Sequence, residues 1–224
     1  MISKYLKYLP LFLLCLKVYG QNTPKTDRTF YDDKFIHIDS IVKSEYDKIP
    51  ASDQLFDIDT TKRIKARHDS LTFPIENGST VILINDLISD FSLQNNSFIG
   101  QYKSLPYYIV ETAYWEIEEF RLINKNNGRQ YVTYLYPLLS PAKKLLIGSN
   151  PTLGQPDLGL NGIQLFEINK NELKTIFQIE LEKFQIDEMR WISESKVAVK
   201  IGFMKPQVGI MKPGEKYGIL TIKK

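Results

Sequence analysis

Cysteine is nearly missing from this chain. Cys15 is the only one, and it lies in a segment that reads as removable. The remainder therefore offers no intramolecular disulfide, no thiolate-bound zinc and no cysteine nucleophile. Histidine is almost as scarce, with only His37 and His68. His68 is followed directly by Asp69 and Ser70, but a serine triad draws its members from separated segments. Both histidines are read as surface residues, and no metal site is expected. The Walker loop, the dinucleotide fingerprint, HExxH and GxSxG are absent as well, so no cofactor is implied.

Long apolar runs are also lacking. The longest, Leu9 to Leu16, falls far short of the roughly 20 residues that cross a bilayer, and no stable membrane span is expected. It follows Lys4 and Lys7 and precedes Val18-Tyr19-Gly20. A positive start, a short apolar core and small residues before a cut form the layout of a secretory signal peptide over residues 1–20. A lipoprotein built on Cys15 is disfavoured, because the bulky Leu14 precedes it. The expected location is periplasmic or secreted. The segment carries Lys4, Lys7 and Lys17 and no acid, so its removal cancels the excess of 29 basic over 26 acidic side chains. A neutral chain gives no electrostatic reason to bind nucleic acid.

What is present is organised in two parts. Residues 21–70 are polar and irregular, with short helices expected around Ser40–Asp47 and Thr60–His68, and they read as a lead-in. Residues 71–224 read as one all-β domain. Aromatic and β-branched runs such as STVILIND, YYIVETAYW, GIQLFEIN and KVAVKIG are shorter than helices and are separated by turn residues. Asn77-Gly78 and Asn127-Gly128 are candidates for type I′ hairpin turns, which need positive φ.

Two segments recur. Leu122-Ile123-Asn124-Lys125-Asn126 returns as Glu167-Ile168-Asn169-Lys170-Asn171, and YPLLSPAKKLLIG is echoed by MRWISESKVAVKIG. A period of about 40 to 50 residues with four strands per unit is the mark of propeller blades. The SPAKKLLIG and WISESKVAVKI segments resemble the Ser-Pro-Asp-Gly-Lys strands of WD40-like and TolB-like β-propellers, over roughly residues 117–201. The Asp-Gly of that motif is missing in both copies. The resemblance implies antiparallel meanders in a small propeller-like or stacked-sheet domain. A β-sandwich is the alternative.

Few residues point to chemistry. Alternation places Glu116 and Glu118 on one strand face and Glu119 on the other, a spacing compatible with a paired-carboxylate glycosidase. A solvated sheet face meets the same condition. Asp57, Asp59 and Thr60 alternate like calcium-loop ligands but lack the Gly and Glu of an EF-hand. Tyr107, Tyr108, Tyr114 and Trp115 offer stacking surfaces for sugars, with core packing as the ordinary alternative. The loop from Ser149 to Gly162 is long and rich in Gly and Pro, and such loops are often functional. It is the preferred binding site, through Asn150, Gln155, Asp157 and Asn161, joined by Tyr114 and Trp115. From Lys196 onward seven lysines face Glu215 alone, either as edge protection or as a basic face. Asn77 and Asn95 stand in Asn-X-Ser sequons. The expected function is an exported, non-catalytic protein that binds a protein or glycan. A polysaccharide hydrolase using Glu116 and Glu118, and an inhibitor or immunity-type protein, are the alternatives.

Overall fold

The computed structural model describes residues 29–223 apart from 52–57, 62–63, 68, 87–92, 115–116, 135–136, 154–159 and 208–209, with backbone alone for 65–67, 204–207 and 210–212. The protein is all-β. It begins with β1 (Thr29–Asp32) and β2 (Ile36–Ile41), makes one helical turn, α1 (Lys43–Tyr46), and passes β3 (Ile58–Asp59). Four meanders follow. Sheet I comprises β4 (Lys65–Arg67), β5 (Ser70–Pro74) and β6 (Thr80–Ile84). Sheet II comprises β7 (Asn95–Tyr102), β8 (Tyr107–Ala113), β9 (Glu118–Asn124) and β10 (Gln130–Thr133), with β3 added beside β7. Sheet III comprises β11 (Leu138–Leu139), β12 (Leu145–Asn150), β13 (Gly162–Asn169) and β14 (Glu172–Glu180). Sheet IV has the order β1-β2-β17-β16-β15, with β15 (Gln185–Ser193), β16 (Lys196–Gln207) and β17 (Ile210–Ile222).

The sheets stack in chain order. Ile38, Val199 and Leu220 of sheet IV share a core with Ile147 and Leu165 of sheet III. The opposite face of sheet III, through Leu146 and Phe166, packs on Tyr107, Ile109 and Leu122 of sheet II. Tyr108, Val110 and Ile123, on the other face of sheet II, meet Leu71, Phe73 and Leu83 of sheet I. Sheets II and III are thus buried on both faces. That is why Tyr107 to Val110 is apolar without alternation and fully inside. Tyrosines tie the seams together. Tyr108 Oη donates to the Pro74 carbonyl at 2.9 Å, and Tyr102 Oη donates to that of Pro137 at 3.1 Å.

The two recurring segments occupy equivalent corners of neighbouring sheets and touch. Asn124 Nδ2 of the first donates to the Asn171 carbonyl of the second at 2.8 Å. Likewise Ser140 Oγ donates to Glu194 Oε2 at 2.9 Å, and the Ala142 amide donates to Glu194 Oε1 at 2.5 Å. The hairpins at Asn77-Gly78 and Asn127-Gly128 form, but each spans more than two residues, and of each pair only the glycine has positive φ. The two-residue turn with positive φ at both positions is Lys170-Asn171, joining β13 to β14.

The lead-in reading is corrected. Residues 36–41 are a strand paired with β17 from Tyr217↔Ile41 to Ile222↔Ile36, so the start of the described chain completes the sheet formed by its end. Ile36 and Ile38 are buried on one face while His37 and Asp39 lie on the other; the polar alternate positions disguised a strand as an irregular segment. The short helix within Ser40–Asp47 is present as α1. The helix expected over Thr60–His68 is replaced by β4. β17 is flanked by β2 and β16 only along Tyr217–Ile222, a stretch without lysine, and its lysines, Lys212 and Lys216, lie before it. Beyond Gly202, where pairing with β15 ends, and before Tyr217, where pairing with β2 begins, β16 and β17 continue as a two-stranded arm. Pro206 and Pro213 lie within that ladder. Proline has no amide to donate, so neither position offers an N–H to a foreign strand.

Candidate functional site

A concavity among the described residues lies where the seam between sheets III and IV meets the base of the arm. Its first wall is β1, an edge strand with a bulge. Thr29 pairs with Asp39 and Tyr31 with Ile38, leaving Phe30 as an extra residue. Without a bulge, neighbouring side chains would point to opposite faces. With it, Phe30 and Tyr31 both pack edge-on against Phe184, at ring-centroid distances of 5.0 and 5.2 Å. Such re-aiming is what bulges do beside functional sites.

The second wall is the turn between β14 and β15, Leu181 to Phe184, which is held from inside. Asn161, 8% exposed, donates from Nδ2 to the carbonyls of Leu181 and Phe184, the latter at 2.8 Å. The far wall is Phe203 of β16 and Lys216 of β17. The Lys216 ammonium stands 5.1 Å from the Phe30 ring centre and 5.6 Å from that of Phe203. Together these residues, with Asp32, Glu180, Glu182 and Lys183, enclose about 680 Å³. The floor is aromatic and the rim carries both signs of charge. Burial and the neighbouring Asp33, which accepts the Tyr31 hydroxyl at 2.9 Å, push the Tyr31 pKa up to about 12. On the other side of Phe203 a shallower recess of about 360 Å³ is bordered by Leu153, Gln185, Asp187 and Glu215. There Gln185 Nε2 donates to Asp187 Oδ1 at 2.6 Å while its Oε1 accepts the Leu153 amide at 3.1 Å.

Asp32 at the rim belongs to a charged cluster. His37 Nδ1 is 2.9 Å from Asp32 Oδ1, and His37 Nε2 is 3.1 Å from Asp39 Oδ1. Lys223 Nζ is 2.6 Å from Asp32 Oδ1. Hydrogen bonds from Lys223 and His37 hold the Asp32 carboxyl below its usual range, and those to Asp32 and Asp39 raise the His37 pKa.

The residues expected from sequence are dispersed. Asn150 Nδ2 donates to the Leu160 carbonyl at 3.1 Å and closes the base of its loop. Asn161 supports the groove without lining it. Tyr114 donates to Glu119 Oε1 at 3.0 Å and accepts from Arg121 at 2.9 Å, and Arg121 pairs with Glu119 at 2.6 Å. The Tyr114 ring therefore belongs to a polar cluster on sheet II, away from the groove. Glu118 is exposed at the start of β9. Glu116, Trp115, Gln155 and Asp157 lie outside the described residues. Tyr107 and Tyr108 are core residues, at 0% and 8% exposure. Asp59 Oδ1 accepts the Thr61 amide and hydroxyl at 2.9 and 2.5 Å, a turn contact. Among the described residues, no group of three or more His, Cys, Asp or Glu is placed to hold a metal. No helix there is long and apolar enough to cross a membrane.

Sequence reasoning missed Phe30, Tyr31, Phe184, Phe203 and Lys216. Phe30-Tyr31-Asp32 sat in the supposed lead-in, where an aromatic pair ahead of IHIDSI was the available signal. No family model, curated protein or solved structure matches the chain.

Proposed function

We propose that this chain is an exported, non-catalytic β protein that binds a protein partner through the groove between β1, the β14–β15 turn and the base of the arm. The observation that carries the reading is the groove's make-up: four aromatic rings below a rim of three acids and two lysines. An apolar centre inside a polar, charged rim is the anatomy of protein recognition sites, and aromatic anchors dominate their energetics. A glycan is the weaker fit, because the Phe30, Tyr31 and Phe184 rings engage one another and Lys216 stands over two rings. In this reading residues 1–20 direct export, and the four meanders are propeller-like blades in an open arrangement, the last one completed by β1 and β2. An inhibitory role toward an enzyme of the same compartment falls within it.

The test is a pull-down from envelope extract with the purified chain and with a K183E/K216E variant of unchanged circular dichroism. The reading expects a partner lost on charge reversal; a full set of partners retained by the variant contradicts it. A second reading, a polysaccharide hydrolase, draws on Asp32, Glu180 and Glu182 in the same groove. It requires release of reducing ends that disappears in E180Q/E182Q.

A further inference from the structure

The ring of His37 is bracketed by carboxylates, one at each nitrogen. Asp32 comes from β1, across the strand pair in direct register with His37, and Asp39 lies two residues along β2 on the same face. A carboxylate only accepts hydrogen bonds, so both contacts are satisfied at once only when both ring nitrogens carry a proton. From the end of β17, Lys223 reaches the same Asp32 oxygen that faces the ring and also the Asp33 carbonyl. Asp33 itself turns its carboxylate to the amides of Phe35 and Ile36 and to the Tyr31 hydroxyl. The charged groups acting on the imidazole are thus Asp32 and Asp39 directly and Lys223 through Asp32.

What the ring holds is one wall of the groove. β1 is a four-residue strand at the edge of sheet IV, paired among the described residues with β2 alone, and it supplies Phe30, Tyr31 and Asp32 to the groove. We infer that His37 is a proton-controlled latch for β1: the imidazolium fastens Asp32 to Asp39 across the strand pair and fixes the groove wall, and loss of one ring proton loosens it. The neutral ring has a single N–H, so one of its two carboxylates then faces a lone pair. This places regulation by pH on the site of the proposed function and rests on that reading for its biological meaning, while the latch is measurable in the chain alone.

The direction follows from linkage. The His37 pKa is raised from 6.5, so the latch contributes fully below that value and is lost as pH climbs through the raised one. The Asp32 pKa is lowered from 3.8, so its share is present above 3.8 and is lost as acid carries pH through the depressed value. The latch is therefore strongest in mildly acidic solution.

NMR titration of the purified chain tests this without any partner. His37 is expected to titrate above 6.5, with D32N and D39N each lowering its midpoint. Amide protection of residues 30–32, corrected for intrinsic exchange, is expected to fall about two- to fivefold as His37 deprotonates, the range open to partly exposed ion pairs. In H37Q the protection is expected to sit at the lower level at every pH. A His37 midpoint unmoved by both substitutions, or protection of β1 that tracks pH equally in H37Q, overturns the latch. Groove binding is judged separately, by the pull-down at one fixed pH below 6.5, where the latch is closed.

Discussion

The two ends of the sheet stack are finished differently. The outer face of sheet IV is covered by α1 and the turn after it: Tyr46 packs with Ala198 and Tyr217, joined by Ile41, Ile49 and Ile219. The Tyr46 ring lies 4.9 Å from that of Tyr217, with the Arg190 guanidinium 4.3 Å above it. Arg190 is fixed in turn by the Ile49 carbonyl, to which it donates at 2.8 Å. The outer face of sheet I has no such cover among the described residues, and Ile82 and Ile84 stand 56% and 67% exposed there. Stacked architectures need terminal units with a polar or covered outer face. One end of this protein meets the need with a single helical turn, and the other leaves two isoleucines in solvent.

Substitutions that break this contrast scale with burial. Tyr46→Ala empties a site that is 2% exposed and should destabilise by about 3 kcal/mol, measured by urea denaturation. An unchanged midpoint would mean that the cap is ornamental. At the inner seam between sheets II and III, Glu172 accepts from Asn127 at 2.6 Å and from Tyr131. Glu172→Ala should cost about 1 kcal/mol, a smaller loss because the carboxylate is 41% exposed. Tyr46→Phe sharpens the cap argument. The Tyr46 hydroxyl is buried without a hydrogen-bond partner among the described residues, and burial and then nearby Glu188 push its pKa up. Removing it should leave stability unchanged or raise it by up to about 1 kcal/mol. I82T/I84T, at the bare end, should shift the midpoint by less than about 0.5 kcal/mol while reducing any self-association seen by light scattering.

The sequence made the class of fold readable and hid its boundaries. Runs such as YYIV and GIQLF identified strands because both faces of sheets II and III are buried, so nearly every position is apolar, buried Gln164 being the exception in the second run. Position within the stack also explains the repeated corners, which mark the step from one sheet to the next. Residues 36–41 escaped because only Ile36 and Ile38 of that strand face the core, and because the partner, Tyr217–Ile222, lies at the far end of the chain. Turn chemistry misled in a similar way. Asn-Gly pairs favour positive φ, yet the two-residue turn with positive φ at both positions went to Lys170-Asn171, where the register of β13 and β14 left room for just two residues. The groove was least legible, since it depends on a bulge at Phe30 and on strands from opposite ends of the chain.

That closure underlies both the groove and the latch, and cysteine scarcity makes it directly testable. Asp39 and Ile219 are cross-strand partners, a position where side-chain β-carbons lie about 4.5–5.5 Å apart and a disulfide is within reach. With Cys15 changed to serine, D39C/I219C should close an intramolecular disulfide under mild oxidation, while D39C/T175C, which pairs Asp39 with a residue of sheet III, should stay reduced. If the first pair remains reduced or forms only intermolecular dimers, the N-terminal strands do not complete the C-terminal sheet, and the groove built on them is lost with it.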